Sequence, residues 1–211
     1  MITDLSSLHP GWLVIGSLSI ALLPALVGLF TSYLKVSIVL GFLKGGLGTQ
    51  QVPGTVVTLS LAVALTLFVM GPVLTQVSAR CQTIDTKIFT RAPNQQSLVK
   101  LREIAEPFID FMRKHAGTHE MQILGAQVGE DSSMRVLITS FMLSELREAF
   151  AMGFVLLLPF LVIDLVVSNI LAGMGMFMVS PTIISLPLKL LLFAVSDGWI
   201  LLGKSLIASY N

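Results

Sequence analysis

Residues 158–193, LPFLVIDLVVSNILAGMGMFMVSPTIISLPLKLLLF, are nearly all apolar, yet they carry Asp164, Asn169 and Lys189 and are interrupted by Pro159, Pro181 and Pro187. An ordinary hydrophobic core does not have this pattern. An ionisable group at hydrocarbon depth is costly unless it finds a partner or water, so these residues point to a protein-lined pathway or an assembly interface. In the middle of the stretch lies Gly-Met-Gly-Met-Phe-Met, residues 173–178, where paired glycines and repeated methionines break what would otherwise be one long helix.

The rest of the chain is of the same kind. Hydrophobic residues make up 54% of the 211 residues and charged residues 12%, and the mean hydropathy is +0.87. These values place the chain in the polytopic membrane class. A helix needs about 20 apolar residues to cross a bilayer core of about 30 Å. Windows of that length occur near Trp12 to Tyr33, Val56 to Val77, Ala151 to Ala172 and Leu186 to Ala208. Four spans are therefore expected, with Gly173 to Ser185 too interrupted to form a fifth. The N-terminal sequence MITDLSSLHPGWLVIG has an acid and a histidine where a signal peptide would carry its basic region, which predicts a retained first span, kinked at Pro24.

The expected fold is all-α, with apolar helical hairpins at 1–77 and 136–211 and a polar helical extramembranous segment at 78–135 between them. Residues 34–55 are expected to form a loop, because Gly45, Gly46, Gly48, Pro53 and Gly54 favour a turn over a continued helix. This loop holds Lys35 and Lys44 without an acid. The positive-inside rule puts it on the cytoplasmic side, leaving both termini and the middle segment outside.

The middle segment contains most of the 13 basic and 12 acidic residues. Leu98, Leu101, Ala105, Phe108 and Met112 recur at steps of three and four, an apolar helical stripe. A break is expected near Glu106, with Pro107 opening a second helix to about His115 that Gly117 ends. Residues 125–133 read as a polar linker, and Ser132 or Ser133 as the cap of a helix from Met134 onward. Glu145, Arg147 and Glu148 then mark either a solvated helix end or a charged layer between subunits.

Little in the chain supports catalysis. Asp164 and Asp197 lie in separate apolar segments, as an intramembrane aspartyl protease or a carboxylate relay in an ion transporter would require. Lys189, however, stands ready to neutralise them, and Lys189 and Asp197 are roughly 12 Å apart along one helix, so their partners must come from elsewhere. His115 and His119 precede no second zinc-binding histidine, since Ile123 holds that position. The lone Cys81 can form no intrachain disulfide. No metal, cofactor or nucleotide site is expected, and a net charge of +1 with no basic run argues against nucleic acid. Met174, Met176 and Met178 either fill irregular gaps in a core or, if the helix breaks there, ring a lumen and close it by dewetting.

The runs LPFLVIDLVV, MGMFMVSPTIISLPLKLLLF and DGW, together with LPALVGLFTSYLKVSIVLGFLKGGLGTQQVPG, LTLFVMGPV and SELREAFAMGF, resemble the FliP/SctR family of the bacterial type III secretion and flagellar export apparatus. The resemblance covers all four apolar zones and is weakest over Ser78 to Arg135. It implies a non-enzymatic export-gate subunit of the bacterial inner membrane that conducts unfolded polypeptides and needs no cofactor. It further implies assembly as five copies with a smaller hairpin subunit and a related larger subunit, the gate raised toward the periplasm and the remaining surface against lipid. The family's methionine gasket corresponds to Met176, Phe177 and Met178, with an aromatic ring in place of the middle thioether and Met174 alongside. Asp164, Asn169, Lys189 and Asp197 would then be satisfied across interfaces. The short middle segment leans toward the injectisome branch.

Overall fold

A computed structural model describes residues 17–18, 21–22, 26–48, 53–82, 95–127 and 133–210. Its seven named helices are α1 (Tyr33–Leu47), α2 (Thr55–Gln82), α3 (Gln95–His115), α4 (Thr118–Gln127), α5 (Ser133–Gly173), α6 (Pro181–Val195) and α7 (Gly198–Ala208), and no strand occurs among the described residues. The all-α expectation holds. Ten of the 22 residues of the first expected span, Pro24 among them, lie outside the described residues.

The organising element is α5, whose 41 residues extend about 60 Å at 1.5 Å per residue, roughly twice the bilayer core. It passes through Pro159 without ending. It starts at Ser133, within one residue of the Met134 start read from the sequence. Two cores lie along it. In the first, Val36, Leu40 and Leu43 of α1 pack with Ala149 and Phe160 of α5, Phe193 of α6 and Leu206 of α7. In the second, Met70 of α2 and Phe111 and Met112 of α3 pack with Phe141 of α5 and Tyr210.

The expected loop at 34–55 is instead largely helix. α1 runs to Leu47 and ends only at Gly48, which takes the left-handed conformation at φ 75°. Tertiary packing overrides the local glycine signal here. A Cβ on Gly46 would come within 2.6 Å of Phe160 and 2.7 Å of Leu157, so this glycine serves close helix approach, not a turn. The spacing of the buried residues 36, 40, 43 and 47 is helical and carries α1 into the middle of the first core.

Pro107 does not break the middle helix, since α3 is continuous from Gln95 to His115. Proline removes the N–H that would bond the carbonyl four residues earlier. That carbonyl, Glu103 O, instead accepts a hydrogen bond from Arg80 Nη1, which also lies 2.7 Å from Glu106 Oε2. Of the predicted stripe, Met112 is buried and Phe108 packs against the second core, while Ala105 is exposed.

The last expected span, Leu186 to Ala208, is two helices bent by 63°. Asp197 sits at the bend with φ 50°, a left-handed position that Asp tolerates better than most residues. The adjoining Gly198 leaves room for the Phe193 ring. Among the described residues, two helices are long and apolar enough to cross a membrane, and three spans result if the bent pair counts as one. The last expected span is therefore a bent pair and not one straight helix.

Candidate functional site: two buried ion clusters and a methionine turn

Lys35, expected to be a loop lysine, is fully buried on α1. Its ammonium lies 3.0 Å from Glu145 Oε1 and 2.8 Å from Glu148 Oε2 of α5. Tyr210 closes the cluster: its hydroxyl donates to Glu145 Oε2, and Lys35 Nζ stands 3.9 Å from its ring centroid. Burial and the neighbouring carboxylates push the Tyr210 phenol well above its ordinary value, so it remains a donor. The acid-free loop thus loses one of the two lysines on which its cytoplasmic placement rested. Arg147 takes another direction, lying 3.3 Å from Glu120 of α4, whose side chain is mostly buried while that of Arg147 is exposed. Of the three charges at 145–148, the two acids therefore face Lys35 and the arginine turns toward α4.

The second cluster joins α5, α6 and the end of α1. Lys189 Nζ donates to Asp164 Oδ2 at 2.6 Å and to the Gly46 carbonyl at 2.9 Å. Lys189 is buried and Asp164 about one-third exposed, with side-chain exposures of 3% and 35%. The partner expected from another segment is therefore supplied within the chain. Asn169 and Asp197 are exposed in this single chain. Sequence reasoning missed the roles of Lys35 and Tyr210. The available signal was a lysine inside the apolar run SYLKVSIVL together with acids at 145 and 148, three residues apart and hence on one helix face.

Between α5 and α6 the chain turns through the methionine segment. Met176 N donates to Leu171 O at 2.9 Å and Gly175 N to Ala172 O at 3.0 Å, with Gly175 at φ 76°. This pair of bonds around a left-handed glycine is the Schellman helix stop. Gly175, not Gly173, supplies the required conformation. Pro181 then opens α6 behind Ser180, a position where proline's missing N–H costs nothing. The intervening turn points its apolar side chains outward: Met174 is 60% exposed, Met176 44%, Phe177 82% and Met178 100%. Burying one such side chain is worth about 1.5–3 kcal/mol, and these four are left bare together on one short turn.

None of these groups is arranged for catalysis. Among the described residues, no three His, Cys, Asp or Glu side chains are placed to hold a metal. His115 is engaged structurally, with Nδ1 2.8 Å from Phe111 O and Nε2 3.3 Å from Tyr210 O.

Long apolar helices, charges spent on internal packing and an exposed apolar turn define a helical membrane protein built to assemble. A sequence model of the FliP family matches residues 17–206. The chain belongs to the FliP family. It is 38% identical over 210 residues to the Yop proteins translocation protein R of Yersinia pestis, covering 91% of this chain and 92% of that one. Over 200 residues it is 40% identical to the flagellar biosynthetic protein FliP of Pectobacterium carotovorum subsp. carotovorum, covering 91% of this chain and 75% of the relative. The virulence protein YscR of Salmonella typhimurium is 37% identical over 203 residues, covering 91% and 93%. As a family member the chain is an inner-membrane, structural component and not an enzyme.

Proposed function

We propose that this chain is the pore-forming core subunit of a type III secretion export gate, conducting unfolded polypeptides across the bacterial inner membrane. The relatives' names, translocation of Yop proteins and flagellar biosynthesis, support a role in protein export. The observation that carries the reading is the turn at 174–180, which presents Met174, Met176, Phe177 and Met178 away from their own chain. In a ring of subunits these side chains converge on the axis. There they exclude water and ions by dewetting, yet pliable thioethers part for a passing chain. Phe177 supplies bulk in place of a middle thioether.

Five copies, together with a smaller hairpin subunit and a related larger one, complete the gate. The exposed apolar face of α5, including Phe150, Phe154, Leu161 and Leu165, supplies surface for neighbouring subunits and lipid. Asn169 and Asp197, exposed in one chain, find partners across those interfaces, and the polar helices of 78–135 stand outside the membrane with the gate raised toward the periplasm. A carboxylate relay fits less well, because Asp164 is held by Lys189 while Asp197 lies at the exposed bend.

Replacing Met176, Phe177 and Met178 together by alanine is expected to raise ion leakage through the assembled gate. Wild-type leakage from a correctly assembled complex would refute the seal. Native mass measurement of the detergent-extracted complex is expected to give five copies, and a stable monomer would sink the ring.

A further inference from the structure

Resting on the reading of the turn as the seal of a channel, we propose that Met174, Met176 and Met178 form an oxidant-responsive site, where thioether oxidation by a peroxide opens the seal to water and ions. The described methionines span a range of accessibility. Met178 is 100% exposed, Met174 60% and Met176 44%, against 42% for Met134 at the start of α5 and 1% and 0% for Met70 and Met112 in the second core. Oxidation follows access: in the assembled seal a peroxide attacks from the aqueous mouths on either side of the constriction, where the turn meets water, while Met70 and Met112 stay enclosed by their own chain.

The step is an oxygen-atom transfer. The thioether sulfur attacks one peroxide oxygen, an S–O bond forms as the O–O bond breaks, and sulfur gives up two electrons. Hydrogen peroxide is reduced to water. The product sulfoxide is polar and accepts hydrogen bonds, so a constriction that stays dry because its lining is apolar becomes wettable. The backbone is not strained by the change, because the helix stop rests on Gly175 and the main-chain bonds at Leu171 and Ala172. The modification therefore alters the lining of the turn without unfolding it, and reduction of the sulfoxide restores the seal.

Phe177 gains a role in this scheme. It is 82% exposed between two methionines and has no oxidisable sulfur. Each copy thus keeps one large apolar side chain at the constriction after its methionines are oxidised. The aromatic ring limits the leak that oxidation produces.

The test uses the assembled gate in inner-membrane vesicles, pulsed with hydrogen peroxide, with peptide mass spectrometry and ion leakage read on the same samples. Sulfoxide is expected at Met174, Met176 and Met178 on the order of tenfold faster than at Met70 and Met112. Leakage should rise with it and fall again after treatment with methionine sulfoxide reductases. The triple variant Met174→Leu, Met176→Leu, Met178→Leu keeps an apolar lining and should not respond to peroxide; Met178→Leu alone should blunt the response if the triple variant fails to assemble. Phe177→Met should make the leak more peroxide-sensitive. Oxidation of the turn no faster than of the core, or an equal peroxide-induced leak in the leucine variants, overturns the proposal. If the alanine variant of the seal leaks but peroxide does not open the wild type, the seal stands and oxidative opening is refuted. If the alanine variant does not leak, the seal itself is refuted and the proposal falls with it.

Discussion

Replacing Lys35 by Met removes the one cation from a cluster whose other interior member, Glu145, is only 1% exposed. The shape of the site is nearly kept, because methionine follows the path of the lysine stem. What changes is that the Glu145 carboxylate is left buried without its counter-ion. Breaking a buried pair from one side typically costs about 3–5 kcal/mol, several times the worth of an exposed pair. Glu148 adds little to that figure, since its side chain is 45% exposed and hydrates when released. The double variant Lys35→Met, Glu145→Gln removes both charges and keeps an acceptor for the Tyr210 hydroxyl. It should therefore be more stable than Lys35→Met alone, because neutral replacement of a buried pair is often tolerated. Thermal and denaturant unfolding of the purified protein in detergent, followed by helix circular dichroism, gives the comparison. A loss below about 1 kcal/mol for Lys35→Met, the range of an exposed pair, would refute the assignment of a buried one. A double variant as damaged as the two single losses added together would refute the coupling.

Three further outcomes follow from the packing. Gly46→Ala should lose about 1–3 kcal/mol by forcing a methyl against Phe160 and Leu157, whereas Gly45→Ala, with nothing within 4 Å of its added Cβ, should be neutral or stabilising in the same unfolding assay. Asp164→Asn should destabilise more than Lys189→Met. The first leaves an ammonium that is 3% exposed without its counter-ion, held only by the Gly46 carbonyl, and the second leaves a carboxylate side chain that is 35% exposed; equal losses would contradict the asymmetry. Tyr210→Phe should keep the stacking on Phe111 and lose the hydrogen bond to Glu145, at a cost of about 1–3 kcal/mol. The folded phenol is held above its unfolded value of about 10, so its contribution is complete below pH 10 and lost as pH rises beyond it. The wild type should therefore lose stability more steeply above about pH 10 than Tyr210→Phe, a difference readable from unfolding midpoints across alkaline buffers.

The sequence by itself determined the class of fold and the place of the turn. Long apolar windows can be satisfied only as helices, and Gly175 followed by Pro181 stops one helix and starts the next through local backbone chemistry alone. The Asp164–Lys189 attraction was also visible as unlike charges in an apolar stretch. Where the sequence misled, the deciding partner was distant along the chain. Gly46 signals a turn in isolation, but Phe160 and Leu157 use the space it leaves inside a helix. Pro107 signals a break, but Arg80 reaches over from α2 to bond the carbonyl that proline frees. Lys35 looked like a topology marker because Glu145, its partner, lies 110 positions away. Local propensity is a matter of tenths to a few kcal/mol per residue, comparable with what a single buried ion pair or tightly packed ring contributes. Only the tertiary structure decides which of them prevails, and here it turned an expected loop into the helix at the centre of the first core.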